Sequence, residues 1–134
     1  MEFVSFQIPA RNDKIDVASK VLRDLLERHL VDVAIIDECD LALQELLRNI
    51  VKYAFGDDED RRIEIRLGME RRRFFAEVED DGMLVVAEDA PVMGLEKDEP
   101  KIGLYDTTKV KEFMDEVQYQ YRDAKKFWVI SRML

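Results

Sequence analysis

Residues 61–82, RRIEIRLGMERRRFFAEVEDDG, hold two runs of period two set almost end to end. Ile63, Ile65 and Leu67 share one side of the first run, and Phe74, Ala76 and Val78 share one side of the second. Period two gives each run one apolar face and one wet face. Only Met69–Arg72 separates them. That is too little chain for a crossover helix, so the runs must turn back on each other as an antiparallel hairpin. A two-stranded ribbon with one apolar face is barely stable alone in water. The rest of the chain therefore has to extend that sheet and cover its apolar face.

The flanking sequence can do both. FVSFQIP places Val4, Phe6 and Ile8 on one side and ends at Pro9, as a half-buried strand does. NDKIDVASKVLRDLLERHL carries Ile15, Ala18, Val21, Leu22, Leu25 and Leu26 at helical spacing, with Asn12 and Asp13 as N-caps. A second helix is predicted from about Ile35 to Phe55, closed by Gly56. Its core face is Ile36, Cys39, Leu43, Leu46, Leu47, Ile50 and Ala54. LYDTTKVKEFMDEV reads as a third helix, and VQYQYRD with KKFWVISRML as a second antiparallel pair. Trp128 alternates with Phe127 and Val129 and is expected in the core. The order β-α-α-β-β-α-β-β predicts a two-layer α/β (α+β) sandwich. In it, a mostly antiparallel sheet of four or five strands is covered on one face by about three helices. Residues 1–134 form one domain on this reading. Residues 83–102 contain two prolines and no sustained period, and are expected to be a lid or binding loop.

Charge narrows the function. The formal net charge is -9, which opposes phosphate-backbone binding and so argues against direct nucleic-acid contact. Basic residues gather in RRIEIR and RRRFF, but Glu64 and Glu70 interrupt them, so a solvated strand edge is expected. Charged residues make up 38%, compatible with an ion-pair-rich surface. With one cysteine no intrachain disulfide can form, and Cys39 is expected to be a buried structural thiol. One histidine, His29, and one cysteine make a zinc site improbable, and His29 is expected at a solvated helix end. No apolar run reaches the length of a membrane span, and the N-terminus has no basic-then-apolar leader. A soluble cytoplasmic protein that avoids membranes is the expectation.

Three elements stand out chemically. Glu45, Asn49 and Tyr53 fall at intervals of four. Each step advances about 40° around a helix, so they form a ridge beside the apolar stripe. Asp80 ends the second hairpin strand on the side of Val78, where a carboxylate needs a donor or a pocket, and Gly82 frees the backbone nearby. Gly103 precedes a helix, where exposed amides favour anions.

In this order, these elements resemble the bacterial anti-sigma-factor serine/threonine kinases. That family shares the Bergerat ATP fold with histidine kinases, Hsp90 and gyrase. ELLRNIVKYAF resembles the family's glutamate-x-x-x-asparagine helix, DDG its aspartate-x-glycine strand end, and FMDEVQYQYRDAKKFWVISRML its tail. The resemblance spans nearly the whole chain. It implies ATP or ADP binding with Mg²⁺, which Asn49 would ligate through its amide oxygen. It implies Glu45 as general base toward a protein hydroxyl and Asp80 as acceptor from the adenine amino group, with Gly82 letting the base lie close. Tyr53 would border the site. Gly103 and Leu104 would meet the phosphates after a lid spanning 83–102, and Lys101 would bind phosphate as a point charge. The implied partners are a sigma factor, held inactive, and an anti-anti-sigma protein of the STAS type, phosphorylated on serine or threonine. A homodimer is implied as well.

The chain departs from the family in the lid. MLVV follows the aspartate-x-glycine where a small-proline-phenylalanine segment is usual. EPKIGL keeps only Gly103 and Leu104 of the usual glycine cluster, and the usual glycine-asparagine near the final strand is Lys125 and Lys126. A second reading follows: the same fold as a degenerate module that sequesters a protein partner without catalysis.

Overall fold

The computed structural model describes residues 2–52, 61–80, 108–122 and 125–134. Strand β1 is Glu2–Pro9, followed by helices α1 (Ile15–Arg28) and α2 (Val33–Ile50). The hairpin is β2 (Arg62–Glu70) and β3 (Arg73–Asp80). Helix α3 (Thr108–Phe113) leads into β4 (Glu116–Arg122) and β5 (Lys125–Met133). The five strands form one sheet in the order β1-β2-β3-β5-β4, and every neighbouring pair is antiparallel.

The alternation in the sequence becomes the register of the sheet. Phe6 pairs with Ile65, Ile65 with Val78, and Val78 with Trp128, so one apolar row crosses four strands. Ile8, Ile63, Phe74, Ala76, Val78, Trp128 and Ile130 are buried together with the inner faces of α1 and α2. Each fully buried large apolar side chain stabilises the fold by about 1.5–3 kcal/mol relative to exposure. Trp128 lies in this core, its ring edge-on to Tyr119 with centroids 4.6 Å apart. A one-residue slip of any central strand would turn this row to the solvent.

Several expectations are corrected in detail. The arginines of RRIEIR do not mark a strand edge, because β2 is interior, flanked by β1 and β3. They line the open sheet face instead, where Arg66 meets Glu77 at 3.6 Å and Gln7 bonds Glu64 at 2.7 Å. Asn12 and Asp13 do not cap α1. They sit in a short 3-10 turn, and the Asp13 carboxylate is taken by Arg11 at 3.1 Å. Helix α2 starts at Val33, earlier than expected, because Asp32 accepts the Ala34 amide hydrogen at 2.8 Å. Helix α3 ends at Phe113 and does not run to Val117. There the Asp115 amide donates to the Ser131 carbonyl at 2.8 Å, and its carboxylate accepts from the Met133 amide at 2.7 Å, drawing the chain into the sheet.

The single cysteine behaves as expected. Cys39 is fully buried on α2, and burial pushes its thiol pKa up to about 12. His29 follows the end of α1, and its ring Nε2 lies 3.2 Å from the Glu2 carboxylate. No helix among the described residues is long and apolar enough to cross a membrane.

Candidate functional site

Helix α2 lies between α1 and α3, and the contact with α1 is polar at its centre. Asp40 is only 3% exposed, and its carboxylate accepts from Ser19 Oγ at 2.7 Å, Arg23 Nε at 2.8 Å and Gln44 Nε2 at 2.9 Å. Arg23 also reaches Asp37 at 2.8 Å, and that bond foremost holds its guanidinium pKa above the usual arginine range. A carboxylate buried this deeply needs such partners to remain charged. The chain of contacts continues along α2. Arg48 donates to Gln44 Oε1 at 3.0 Å and to Glu45 Oε2 at 2.9 Å.

Asp40, Gln44 and Arg48 thus form a second line at intervals of four, beside the line of Glu45 and Asn49. Sequence reasoning singled out the line of Glu45 and Asn49 and missed that of Asp40, Gln44 and Arg48. The signal was available: Asp40, Gln44 and Arg48 repeat at helical spacing and can hand hydrogen bonds from one turn to the next.

The Glu45 side chain is 19% exposed, so its carboxylate still touches solvent while it is paired with Arg48. Asn49 is 6% exposed, deeper than a flanking ridge would place it. Asp80 is 1% exposed at the last position of β3, on the same face as Phe74, Ala76 and Val78. The turn between α1 and α2 sits against the β2–β3 turn, where Ile35 and Met69 line one cavity. Asn49 lies one residue from the C-terminal end of α2, and Asp80 is the last residue of β3. Tyr53, Gly82, Lys101, Gly103 and Leu104, and the expected lid at 83–102, lie outside the described residues.

Asn49, Glu45 and Asp80 offer a neutral amide, a half-buried carboxylate and a buried carboxylate, all oxygen donors. Among the described residues no cluster of three or more acidic, histidine or cysteine side chains forms a metal cage. A single amide oxygen with shared phosphates suits Mg²⁺, which keeps most of its waters and seldom uses an all-protein cage. The donor set fits that ion.

Residues 8–131 match the histidine kinase-like ATPase domain family. The chain belongs to that family. No curated protein sequence matches this ATPase domain. Solved structures do. The RsbU and RsbW domains of a Mycobacterium tuberculosis protein superpose with a TM-score of 0.70 at 15% identity, over 100% of this chain and 32% of that one. This ATPase domain therefore spans about a third of that solved chain. In the SiaB–SiaC complex of Pseudomonas aeruginosa the TM-score is 0.61 at 15% identity, over 98% of this chain and 89% of the other. The histidine kinase domain of a blue-light-activated histidine kinase from Erythrobacter litoralis gives 0.54 at 18% identity, over 95% and 62%. At these identities the likeness is one of fold. It agrees with the five-stranded antiparallel sheet and its helical layer.

Proposed function

We propose that this ATPase domain is an anti-sigma-factor-type serine/threonine protein kinase, which phosphorylates an anti-anti-sigma partner of the STAS type and sequesters a sigma factor. The observation that carries the reading is that Asn49, near the end of α2, and Asp80, at the end of β3, are both polar side chains held buried, with Glu45 one turn before Asn49. One of the similar solved structures is the SiaB–SiaC complex, and another holds RsbU and RsbW domains of a single protein. That supports a protein as substrate.

In this reading Asn49 would hold Mg²⁺ through its amide oxygen, and Asp80 would accept a hydrogen bond from the adenine amino group. The ion, when bound, neutralises charge on the phosphates. Glu45 takes the proton from the partner's hydroxyl as its oxygen attacks the terminal phosphorus of ATP, and ADP leaves. Gly82 gives room for the base, Tyr53 borders the site, and Lys101, Gly103 and Leu104 face the phosphates. Residues 83–102 form the lid of a single domain spanning 1–134. A homodimer acting in the cytoplasm completes the reading.

Arg48 engages Glu45 through Oε2 alone, so in the kinase reading the other carboxylate oxygen faces the partner's hydroxyl. The same contact favours a second reading: a binding module with no phosphotransfer, in which the Glu45–Arg48 pair is permanent.

Calorimetric titration with ADP and ATP, with and without Mg²⁺, tests the proposal. Micromolar binding that needs Mg²⁺ and disappears in Asn49→Ala is expected, followed by phosphate transfer to a STAS-type partner that Glu45→Gln abolishes. Absence of binding at millimolar nucleotide, by a folded protein, would leave only the binding module.

A further inference from the structure

The opposite end of the molecule is built differently. From Val33 to Asn49 is about 24 Å along α2 at the usual helical rise. At this far pole a cavity of about 340 Å³ is lined by apolar Leu30, Val31, Ile35, Met69 and Leu134 together with His29, Asp32 and Arg72. Its size matches the lower range of ligand and side-chain pockets.

Three non-glycine residues among those described have positive φ, and all three are here: Leu30 (58°), Arg71 (49°) and Arg72 (65°). Leu30 terminates α1. The Leu30 amide donates to the Glu27 carbonyl at 3.0 Å, and the Val31 amide to the Leu26 carbonyl at 3.1 Å. This bond pattern is the Schellman cap, whose left-handed position is normally glycine. Leucine is sterically disfavoured there, and this one is 91% exposed. Arg71 and Arg72 fill a two-residue hairpin turn that asparagine-glycine would satisfy at less strain. At both turns the fold would be served better by another residue. Strain retained at one place, beside a cavity and an exposed leucine, points to a surface kept for contact.

We propose that this pole docks an acidic segment of a partner protein, seating one apolar side chain of the segment in the cavity and its carboxylates against Arg71 and Arg72. Charge identifies the partner. The chain as a whole carries -9, yet two adjacent arginines, Arg71 and Arg72, form the turn beside the cavity, which Arg72 itself lines. Several other arginines are tied, as Arg23 is to Asp37, Arg28 to Glu2 and Arg48 to Glu45. Arg71 and Arg72 have no ion pair among the described residues. The acids nearby are engaged: Asp32 caps α2 and Glu2 holds Arg28 and His29. A second copy docked pole to pole would set these arginines against their own images, because a two-fold interface repeats the same patch. An anionic membrane would meet a concave cavity on a strongly acidic protein, which fits it poorly.

The test is a titration of the isotope-labelled full chain with a blocked Asp-Glu-Leu-Phe-Glu-Asp peptide and with a counterpart carrying lysine at each acid. The acidic peptide is expected to move the amide resonances of Leu30, Val31, Met69 and Arg72, with affinity falling about tenfold from low to physiological salt. The lysine peptide is expected to leave them in place. Leu30→Gly and the double variant R71N/R72G are expected to melt at higher temperature and to bind about tenfold more weakly. Loss of binding in these variants therefore cannot be blamed on misfolding. The double variant R71E/R72E is expected to prefer the lysine peptide. The proposal is overturned if neither peptide moves these resonances at millimolar concentration, if both move them alike, or if the stabilised variants bind unchanged. It is equally overturned if the pole instead mediates self-association in sedimentation, or flotation with phosphatidylserine vesicles.

Discussion

The two ends of α2 obey opposite rules. At its C-terminal end, Glu45 and Asn49 sit on regular helix and Asp80 on regular strand, with polar groups drawn into the body of the fold. At its N-terminal end the polar groups lie outside, apolar side chains are exposed, and the backbone takes left-handed turns on leucine and arginine. One end is built by register, the other by local strain. A rigid, recessed site suits chemistry on a small molecule, which needs groups held to within fractions of an ångström. A protruding, strained rim suits contact with another macromolecule, where shape and charge at the surface decide.

The sharpest way to break this contrast is Asn49→Ala. Mg²⁺-dependent nucleotide affinity should fall at least about a hundredfold, while peptide binding at the far pole stays unchanged. Coupled loss at both ends, measured by calorimetry and by resonance shifts, would mean that the ends are not independent. Next in size is Asp40→Ala. It removes the acceptor that Ser19, Arg23 and Gln44 share between α1 and α2. Arg23 is partly exposed, so a loss of about 2–3 kcal/mol is expected, at the low end for breaking a buried ion pair. Urea unfolding would measure it, and a loss under about 0.5 kcal/mol would show that the network is decoration.

A smaller effect concerns Gly68 on β2. A Cβ there would come within 2.2 Å of the Phe75 ring. Gly68→Ala should cost about 1–2 kcal/mol, and pairing it with Phe75→Leu should restore part of that in thermal melts. The smallest is the gain of about 0.5–1 kcal/mol expected for Leu30→Gly, read from the same melts. A pH scan adds one more check. The Cys39 thiol is pushed up to about 12 in the fold, from an ordinary value near 9. The unfolded chain therefore releases its proton first, and stability should be full below pH 9 and decline as pH rises toward 12. Cys39→Ala should flatten that decline, and alkylation of the folded protein at pH 8 should be slow.

Much of the sheet was legible in the sequence, for a definite reason. The strands of each hairpin are neighbours in the chain, and their alternation fixes which side is buried. The position of β1 was not legible, since pairing of Phe6 with Ile65 joins residues far apart in the chain. That is why RRIEIR reads as an edge in sequence and is interior in the fold. The line of Glu45, Asn49 and Asp80 could be picked out because each follows a spacing rule tied to a regular element. Asp40 was missed because a charged residue within an amphipathic helix reads as solvated until its partners on α1 are placed beside it. The far pole was missed for a different reason. Nothing in LERHLVD or ERRRF announces left-handed backbone, because leucine and arginine are the wrong residues to signal it.

The strand order has a consequence for how the protein comes into being. Strand β5 lies between β3 and β4, so the sheet has a gap beside β3 until residues 125–133 have been made. Through most of synthesis the apolar row of Phe74, Ala76 and Val78 lacks its neighbours Trp128 and Ile130. A nascent chain stopped before Lys125 would present β3 as an open, hydrophobic edge, the kind of surface that recruits chaperones or stray strands. Folding of this domain is therefore bound to close late, in one step, when its last strand slides into the middle of the sheet.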